Sequence, residues 1–205
     1  STYINRFSVA PGNKLVLATS NDNAYRTAID WHNAGRDVVA IIDSRYSPNG
    51  DLVVKAESMG IKIYDGHGLI EARGGKRVKS ALIAPLSIDG TEVIGAVSQL
   101  ACDLIATSGG WSAAIHLSSH TGAKPIWDEE IVSFRPGDSK QQERSVGACK
   151  GTFGLHDGLV EGAIGGSRAA HFAGFGNGTV NTSIPNITQV GEQPQQALFL
   201  VPHTK

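Results

Sequence analysis

The first third of the chain alternates between apolar runs and segments with helical spacing. Helical patterns at 22–34 and 51–59 each end at a glycine, Gly35 and Gly60. Continuous apolar runs, which are typical of buried parallel strands, precede, separate and follow these two helical patterns. These runs cover residues 14–19 (KLVLAT), 37–43 (DVVAIID) and 61–64 (IKIY). The order β-α-β-α-β predicts a Rossmann-like parallel sheet with right-handed crossovers.

The pattern then changes to alternating apolar and polar positions, with GG and DG turns between segments. This alternation predicts an antiparallel β-meander at 66–100. Its three segments are 68–73, 76–86 and 91–100. A short buried strand at 103–107 (DLIAT) returns to the parallel sheet. We further predict a strand at 145–149, a glycine- and alanine-rich helix at 155–172, and a polar linker or strap at 174–205.

The junction between the first strand and first helix reads TSNDNA (19–24) and contains no glycine. A phosphate loop needs glycines for its tight turn and for close approach to the pyrophosphate. Ser20, Asn21 and Asp22 instead favour an N-cap, whose side chains would occupy the free helix amides. Asp22 also places a negative charge where an anion would bind. We therefore favour a Rossmann-like scaffold without its own ligand.

The acidic residue of the dinucleotide-binding fingerprint remains, although its glycines are missing. Asp43 ends the second strand 23 positions after Ser20, near the spacing of about 20 expected for a ribose-binding acid. An Asp at a strand end is more commonly a turn or cap residue, which is the alternative interpretation.

Charge and composition narrow the class of protein. The net charge is −1 and 40% of the residues are hydrophobic, so nothing favours nucleic acid as a partner. No apolar run approaches the roughly 18 residues of a membrane span, and the N-terminus has no apolar signal core. We expect a cytoplasmic protein in which Cys102 and Cys149 are buried free thiols.

Several long motifs carry a resemblance to known flavoproteins. The succession of βαβαβ, meander, returning strand and a late glycine-rich helix resembles the pyridine nucleotide–disulfide reductase family. Within that superfamily, the chain resembles the α subunit of heterotetrameric sarcosine oxidase along essentially all 205 residues. The motifs that carry this likeness are TSNDNAYRTAIDWHNAG, VVAIIDSR, CDLIATSGGWSAAIHLSSHTGAKPIWDE and QALFLVP.

The resemblance implies that the chain is a central fragment of a longer subunit. Residues 1–135 would be an inserted NAD(P)-type domain of the FAD/NAD(P)-binding fold class. Residues 136–173 would be the closing strand and helix of an outer dinucleotide-binding domain, and 174–205 a linker. The glycine-rich loop would lie upstream and a folate-binding domain downstream.

The resemblance also implies an activity, although this chain alone is expected to be inactive. The parent enzyme demethylates sarcosine oxidatively to glycine and hydrogen peroxide, and passes the one-carbon unit to tetrahydrofolate. Its α subunit holds a non-covalent NAD, while FAD lies in the β subunit and a covalent FMN at the α/β interface. The implied partners are the β, γ and δ subunits and the remainder of the same subunit; the fragment could also form a homodimer.

The segment VGACKGT (146–152) resembles the second cofactor motif of the family, which has a Gly-Asp pair. Ala148 stands in place of the Asp that binds the ribityl chain of FAD, which suits NAD. Helix amides after this segment would face a diphosphate. The predicted cofactor-binding residues are Gly147, Ala148, Gly151, Phe153 and Leu155. The alternative is a glycine-rich helix entry that only packs on the sheet.

Several histidines and one aspartate are candidates for metal binding or acid–base chemistry. His116 and His120 are spaced as a metal pair, but no third ligand motif is nearby, so we predict no metal site and no catalytic residue. His67, His156 and Asp157 are interpreted as turn and first-turn residues. The alternative functions are a free-standing NAD(P)H-dependent oxidoreductase domain and a ligand-free subunit-interaction module. If the chain is a fragment, the helix at 155–172 should expose an apolar face.

Overall fold

The computed structural model describes residues 1–188 and 193–198. The chain divides into two compact units, each described by itself. Unit 1 comprises Ser1–Gly110 together with Gly191–Lys205, and unit 2 comprises Trp111–Val190. The domain boundaries at 135 and 173, which follow from the family resemblance, stay predictions.

Unit 1 has the predicted alternation of strands and helices. Its helices are α1 (Thr2–Phe7), α2 (Asn23–Asn33) and α3 (Asp51–Ser58). Its strands, within the described residues, are β1 (Lys14–Thr19), β2 (Asp37–Asp43), β3 (Ile63–Tyr64), β4 (His67–Gly74), β5 (Val78–Pro85), β6 (Ser98–Ala101) and β7 (Leu104–Ser108). The β-α-β-α-β order and the returning strand β7 are therefore confirmed. Helix α1 was not predicted.

The central sheet of unit 1 is parallel, with strand order β3-β2-β1-β7. Successive residues of β1 face opposite sides, so its two faces build two cores. Leu15 and Leu17 pack with the α2 side chains Tyr25 and Ile29. Val16 faces the other way, into a core that the meander supplies.

The meander is a three-stranded antiparallel sheet in the order β4-β5-β6. Ala81 and Ile83 of β5 are fully buried and pack in the same cluster as Val16. The predicted third segment, 91–100, is shorter than expected. Only Ser98–Ala101 forms a strand, and Val93 makes an isolated bridge to Leu86.

Unit 2 contains less regular structure. Its elements are α4 (His116–His120), β8 (Ile126–Asp128), β9 (Ser133–Arg135) and α5 (Leu155–Phe172). The strands β8 and β9 form an antiparallel hairpin that the sequence did not predict. The predicted strand at 145–149 is wrong, since Gly147–Cys149 forms a turn of 3-10 helix. Gly147 has φ +63°, a left-handed conformation that a strand cannot contain.

Helix α5 has the predicted bounds and contains no buried residue. Leu155 is 63% exposed and Phe172 is 71% exposed, so the predicted exposed apolar face is confirmed. In the predicted linker, residues 174–188 and 193–198 form neither helix nor strand, and the rest lies outside the described residues. Among the described residues, no helix is long and apolar enough to cross a membrane.

The two cysteines differ in exposure. Cys102 is buried as predicted, whereas Cys149 is exposed, which corrects the expectation of two buried thiols. Cys149 ends the 3-10 turn in a part of unit 2 that contributes no buried side chain.

Candidate functional site

The carboxyl edge of the parallel sheet in unit 1 is the first candidate site. Parallel alignment places Thr19, at the end of β1, level with Asp43 of β2 and Ser108 of β7. Ligands of open α/β sheets bind at this edge, where the strand order reverses. In this chain the reversal lies at β1, whose neighbours β2 and β7 are reached by connections in opposite directions.

Charged side chains fill the space between these strand ends. Arg45 Nη2 lies 2.7 Å from Asp22 Oδ1 and 2.7 Å from Asp43 Oδ2, and Arg45 Nε donates to Asp43 Oδ1 at 3.0 Å. The Tyr25 hydroxyl donates to Asp43 Oδ2 at 2.9 Å. Each buried charge thus has a partner of opposite charge, which offsets the cost of burying it. We call Asp22, Tyr25, Asp43 and Arg45 the edge cluster.

The edge cluster also changes the acidity of its tyrosine. Burial is the main reason why the pKa of Tyr25 is raised above its ordinary value, and the neighbouring Asp43 carboxylate raises it further. Tyr25 is therefore a neutral donor to Asp43.

The prediction that side chains at the glycine-free junction bond to the free amides of α2 is wrong. Residue Asp22 occupies the N-cap position of α2, but no side chain caps the helix. Its carboxylate is instead bonded to Arg45, and to the backbone N–H of Gln193 at 2.7 Å. The Thr19 hydroxyl accepts the Asn21 N–H at 3.1 Å, and the Asn21 amide donates to the Ser108 carbonyl at 3.1 Å.

Asp43 is engaged within the edge cluster. It accepts the backbone N–H of Arg45 at 3.0 Å, which is the turn role given above as the alternative to ribose binding. Its two oxygens also receive the bonds from Arg45 and Tyr25. Both carboxylate oxygens therefore already have donors within the protein.

A small cavity of about 170 Å³ remains at the same edge. Its lining includes Ser20, Ser44, Ser108 and Leu198. Leu198 belongs to the segment 193–198, which lies over the strand ends. A cavity of this size is too small to hold a dinucleotide, because ligand pockets for drug-sized molecules begin at about 300 Å³.

The predicted cofactor motif in unit 2 forms a loop that is tied to helix α5 by one carboxylate. Glu161 Oε2 accepts the Gly147 N–H at 2.8 Å. Its Oε1 lies 3.1 Å from Lys150 Nζ and accepts the Thr152 hydroxyl at 3.0 Å. The bond from Gly147, then those from Lys150 and Thr152, hold the pKa of Glu161 below its ordinary value.

The five predicted positions lie together in the stretch that leads into α5. Gly147 and Ala148 form the 3-10 turn, while Phe153 and Leu155 are exposed at the start of the helix. Gly151 has φ +103°, and a side chain there would meet Ile131. The N-terminus of α5, at Gly154, has no side-chain cap.

An open groove of about 1120 Å³ lies beside this loop. Its lining comes from 136–139, 141–146, Lys150 and the part of α5 from Glu161 onward, next to the five predicted positions and not at them. Charged side chains of both signs line it, among them Arg144, Glu161 and Arg168.

Glu161, Tyr25 and Arg45 are the site residues that sequence reasoning missed. Glu161 is one acid on an amphipathic helix, and only the folded loop shows what it binds. Arg45 did carry a signal, because a cation two residues after a strand-ending Asp can pair with it across a turn.

Two of the histidine candidates contact backbone carbonyls. Among residues 1–188 and 193–198, no three His, Cys, Asp or Glu side chains come together to hold a metal. His67 begins strand β4 and does not lie in the predicted turn; its Nδ1 lies 2.6 Å from the Asp65 carbonyl. His156 and Asp157 lie in the first turn of α5 as predicted, and His156 Nδ1 lies 3.1 Å from the Pro185 carbonyl.

Comparison with known proteins gives relatives of one kind, although no family model matches the chain. The chain is 37% identical over 162 residues to the sarcosine oxidase subunit alpha of Rhizobium meliloti (strain 1021), covering 78% of this chain and 15% of that protein. It is 30% and 29% identical over 203 residues to the same subunit from Corynebacterium sp. strains U-96 and P-1, covering 98% of this chain and 20% of each. The predicted resemblance is confirmed, and the chain spans a fifth or less of these relatives.

Solved structures support the fold. L-proline dehydrogenase from P. horikoshii superimposes with a TM-score of 0.54 at 13% identity, over 85% of this chain and 29% of that one. LpdA from Mycobacterium tuberculosis superimposes with a TM-score of 0.50 at 14% identity, over 83% of this chain and 37% of that one. The predicted α/β class with a Rossmann-like parallel sheet is confirmed.

Proposed function

We propose that this chain is a segment of a sarcosine oxidase-type α subunit, in which it supplies scaffold and part of a non-covalent NAD-binding region. The enzyme to which it contributes is an oxidoreductase that demethylates sarcosine to glycine with formation of hydrogen peroxide and transfer of the one-carbon unit to tetrahydrofolate. The observation that carries the proposal is the similarity to three such subunits along up to 98% of the chain.

Unit 1 suits the scaffold role. The edge where a Rossmann domain binds its nucleotide holds two carboxylates, and the Asp22 carboxylate lies at the start of α2. A negative charge at the start of a helix repels the negative diphosphate of a nucleotide and so disfavours its binding. Segment 193–198 also covers the strand ends. A nucleotide of the intact subunit therefore has a better site elsewhere.

Unit 2 supplies the more favourable region for NAD, at Gly147, Ala148, Gly151, Phe153 and Leu155. The left-handed Gly147 and Gly151 bring no side chain to this loop, and the N-terminus of α5, which has no side-chain cap, favours a diphosphate through the helix dipole. Ala148 brings no carboxylate, which a dinucleotide without a ribityl chain does not need. These residues would bind and orient NAD; FAD and FMN belong to other parts of the proposed complex.

The proposed partners follow from the same assignment. The β, γ and δ subunits and the remaining parts of the α subunit would cover surface that is exposed in this chain. Helix α5 has the most to cover, since Leu155, Leu159 and Phe172 are exposed. Self-association of the fragment through α5 is the alternative way to bury that face.

Titration of the purified chain with NAD tests the cofactor region. A saturable rise in melting temperature is expected, and Ala148→Asp should remove it because it adds a negative charge to the loop that is proposed to bind the anionic cofactor. Ser183→Asp is the matched control, since it adds the same charge at an exposed position of unit 2. A wild-type chain whose melting temperature does not change at millimolar NAD would refute the NAD-binding part.

Two further measurements separate the alternative functions. Oxidation of NADH by the isolated chain would favour a free-standing oxidoreductase. Binding to a sarcosine oxidase β subunit without any response to NAD would favour a subunit-interaction module. The fragment assignment itself is tested on the gene: a reading frame that continues past Lys205 into a folate-binding domain supports it, and a stop codon there contradicts it.

A further inference from the structure

We propose that the carboxyl edge of unit 1 is a docking site for the chain's own segment 193–198, and that it binds a neutral peptide in place of a dinucleotide. This inference goes beyond the proposed function, which assigns NAD to the loop of unit 2. The two proposals concern different units and can fail separately.

Segment 193–198 is held through its main chain. The Gln193 N–H donates to Asp22 Oδ2 at 2.7 Å, and the Gln196 N–H donates to the Ser20 carbonyl at 3.0 Å. Between them, the Pro194 carbonyl accepts from Arg45 Nη1 at 3.4 Å. Alternating donors and acceptors of this kind are what an extended polypeptide presents, and a dinucleotide does not.

Neutral side chains add specificity to the docking of the segment. The Gln193 side-chain amide bonds in both directions with Asn49, accepting its backbone N–H at 2.8 Å and donating to its side-chain oxygen. The Gln196 amide donates to the Ile88 carbonyl at 3.1 Å. Leu198 then closes the small cavity at the strand ends. The docked segment is thus recognised by amides and one apolar side chain.

The charge of the edge cluster also opposes a diphosphate. Two carboxylates, Asp22 and Asp43, surround one guanidinium, Arg45, so the buried group has a net charge of −1. Arg45 satisfies one oxygen of Asp22, and the other oxygen needs a hydrogen-bond donor. A phosphate offers acceptors and negative charge at that point, whereas a peptide N–H offers the donor. The edge therefore selects a peptide over a diphosphate.

The backbone at Gly110 lies close to the segment. Gly110 lies against the Gln195 side chain so closely that an added Cβ would overlap with it. Gly110 also has φ +88°, which favours glycine. The absence of a side chain at Gly110 thus leaves room for the Gln195 side chain where it lies.

Hydrogen exchange in the full chain tests the docking. Gln193→Pro removes the N–H that Asp22 accepts, so protection of the Gln196 amide should fall about tenfold or more, as loss of a hydrogen bond to a charged group predicts. Ser183→Pro is the matched control; it places a proline at an exposed position outside the segment and should leave Gln196 protection unchanged. Unchanged protection in Gln193→Pro would overturn the proposal.

A labelled peptide tests the ligand class. A synthetic peptide with the sequence GEQPQQAL (191–198) should bind Gln193→Pro saturably in fluorescence anisotropy, because the resident segment no longer competes. It should bind wild type at least about tenfold more weakly, because the resident segment has to be displaced. Equal binding to both proteins would show that the peptide does not use this edge, and would overturn the proposal.

NAD and ADP-ribose distinguish this inference from the function proposed for unit 2. Neither compound should change exchange at Gln196, even where NAD raises the melting temperature through unit 2. A fall in Gln196 protection with either compound would show that the edge retains nucleotide affinity, which contradicts the docking proposal and leaves the unit 2 assignment untouched.

Discussion

The Arg45 guanidinium lies 2.7 Å from the Asp22 carboxylate and joins the end of β2 to the start of α2. The Arg45 side chain is 9% exposed and the Asp22 side chain 0%. Such a pair holds together a strand-to-helix junction that other dinucleotide folds build from glycine and a bound phosphate. The fold is therefore stabilised at this edge by its own charges.

Replacing Arg45 should destabilise unit 1 strongly. Arg45→Met leaves Asp22 and Asp43 buried without their cation, and breaking a buried pair in this way costs about 3–5 kcal/mol. Urea unfolding of the variant measures the loss. Arg73→Met is the matched control, because Arg73 pairs with Glu71 on the surface and such pairs contribute at most about 1 kcal/mol. Equal effects of both substitutions would contradict the role assigned to Arg45.

Tyr25 should make stability depend on pH in the alkaline range. Burial raises its pKa in the folded chain above the ordinary 10.0. Because the folded state favours the neutral phenol, this contribution is fully present below pH 10 and is lost as pH rises above it, at up to about 1.4 kcal/mol per pH unit. Urea midpoints of wild type and Tyr25→Phe should therefore converge above pH 10. Tyr3→Phe, at an exposed position, should follow wild type throughout.

Gly50 should be sensitive to the addition of one methyl group. It is the N-cap of α3 with φ −63°, so alanine meets no backbone strain, but its Cβ would overlap with the Asp22 carboxylate. Gly50→Ala should cost about 1–3 kcal/mol, as overpacking does. Gly109→Ala is the control, since no atom lies within 4 Å of its added Cβ. A neutral Gly50→Ala in thermal unfolding would show that Asp22 can move without loss.

The elements of unit 1 could be predicted because their signals are local. Continuous apolar runs fixed β1 and β2, and glycines after α2 and α3 marked the helix ends. The predicted strand at 145–149 was wrong because Val146, Ala148 and Cys149 look apolar in sequence, whereas the left-handed Gly147 turns the chain there. The hydropathy of a segment carries no information about the backbone angle φ, so it could not reveal this turn.

The edge cluster could be predicted only in part. The missing glycines and the unfavourable charge of Asp22 were evident from the junction itself. Its partners were not, because Arg45 is 23 residues away in the chain and Gln193 is 171 residues away. N-cap preferences describe a bond between the Asp22 side chain and the nearby amides of its own helix. Here the Asp22 carboxylate instead accepts from two donors that are distant in the sequence, Arg45 and Gln193.

Glu161 should control the order of the loop at 147–152 in acid. The hydrogen bond from the Gly147 N–H is the largest cause that lowers the Glu161 pKa in the folded chain, and Lys150 and Thr152 lower it further. The contribution of Glu161 is therefore present above its ordinary pKa of 4.5 and is lost as pH falls through the lower folded value. Hydrogen exchange at Gly147, corrected for intrinsic rates, should rise across that range. Glu161→Gln should remove the pH dependence while its amide oxygen still accepts from Gly147; a variant that kept the dependence would contradict this.

Thiol labelling should report both on burial and on the proposed cofactor region. Burial, followed by the charge of Asp103, raises the pKa of Cys102, so this thiol should react slowly with a disulfide reagent. Exposed Cys149 should react fast, and Cys149→Ser should abolish the fast phase. Because Cys149 lies between Ala148 and Gly151, NAD bound at the proposed positions should slow the fast phase in wild type but not in Ala148→Asp. A fast phase in wild type that is insensitive to saturating NAD would remove the cofactor from this loop, even if NAD raises the melting temperature.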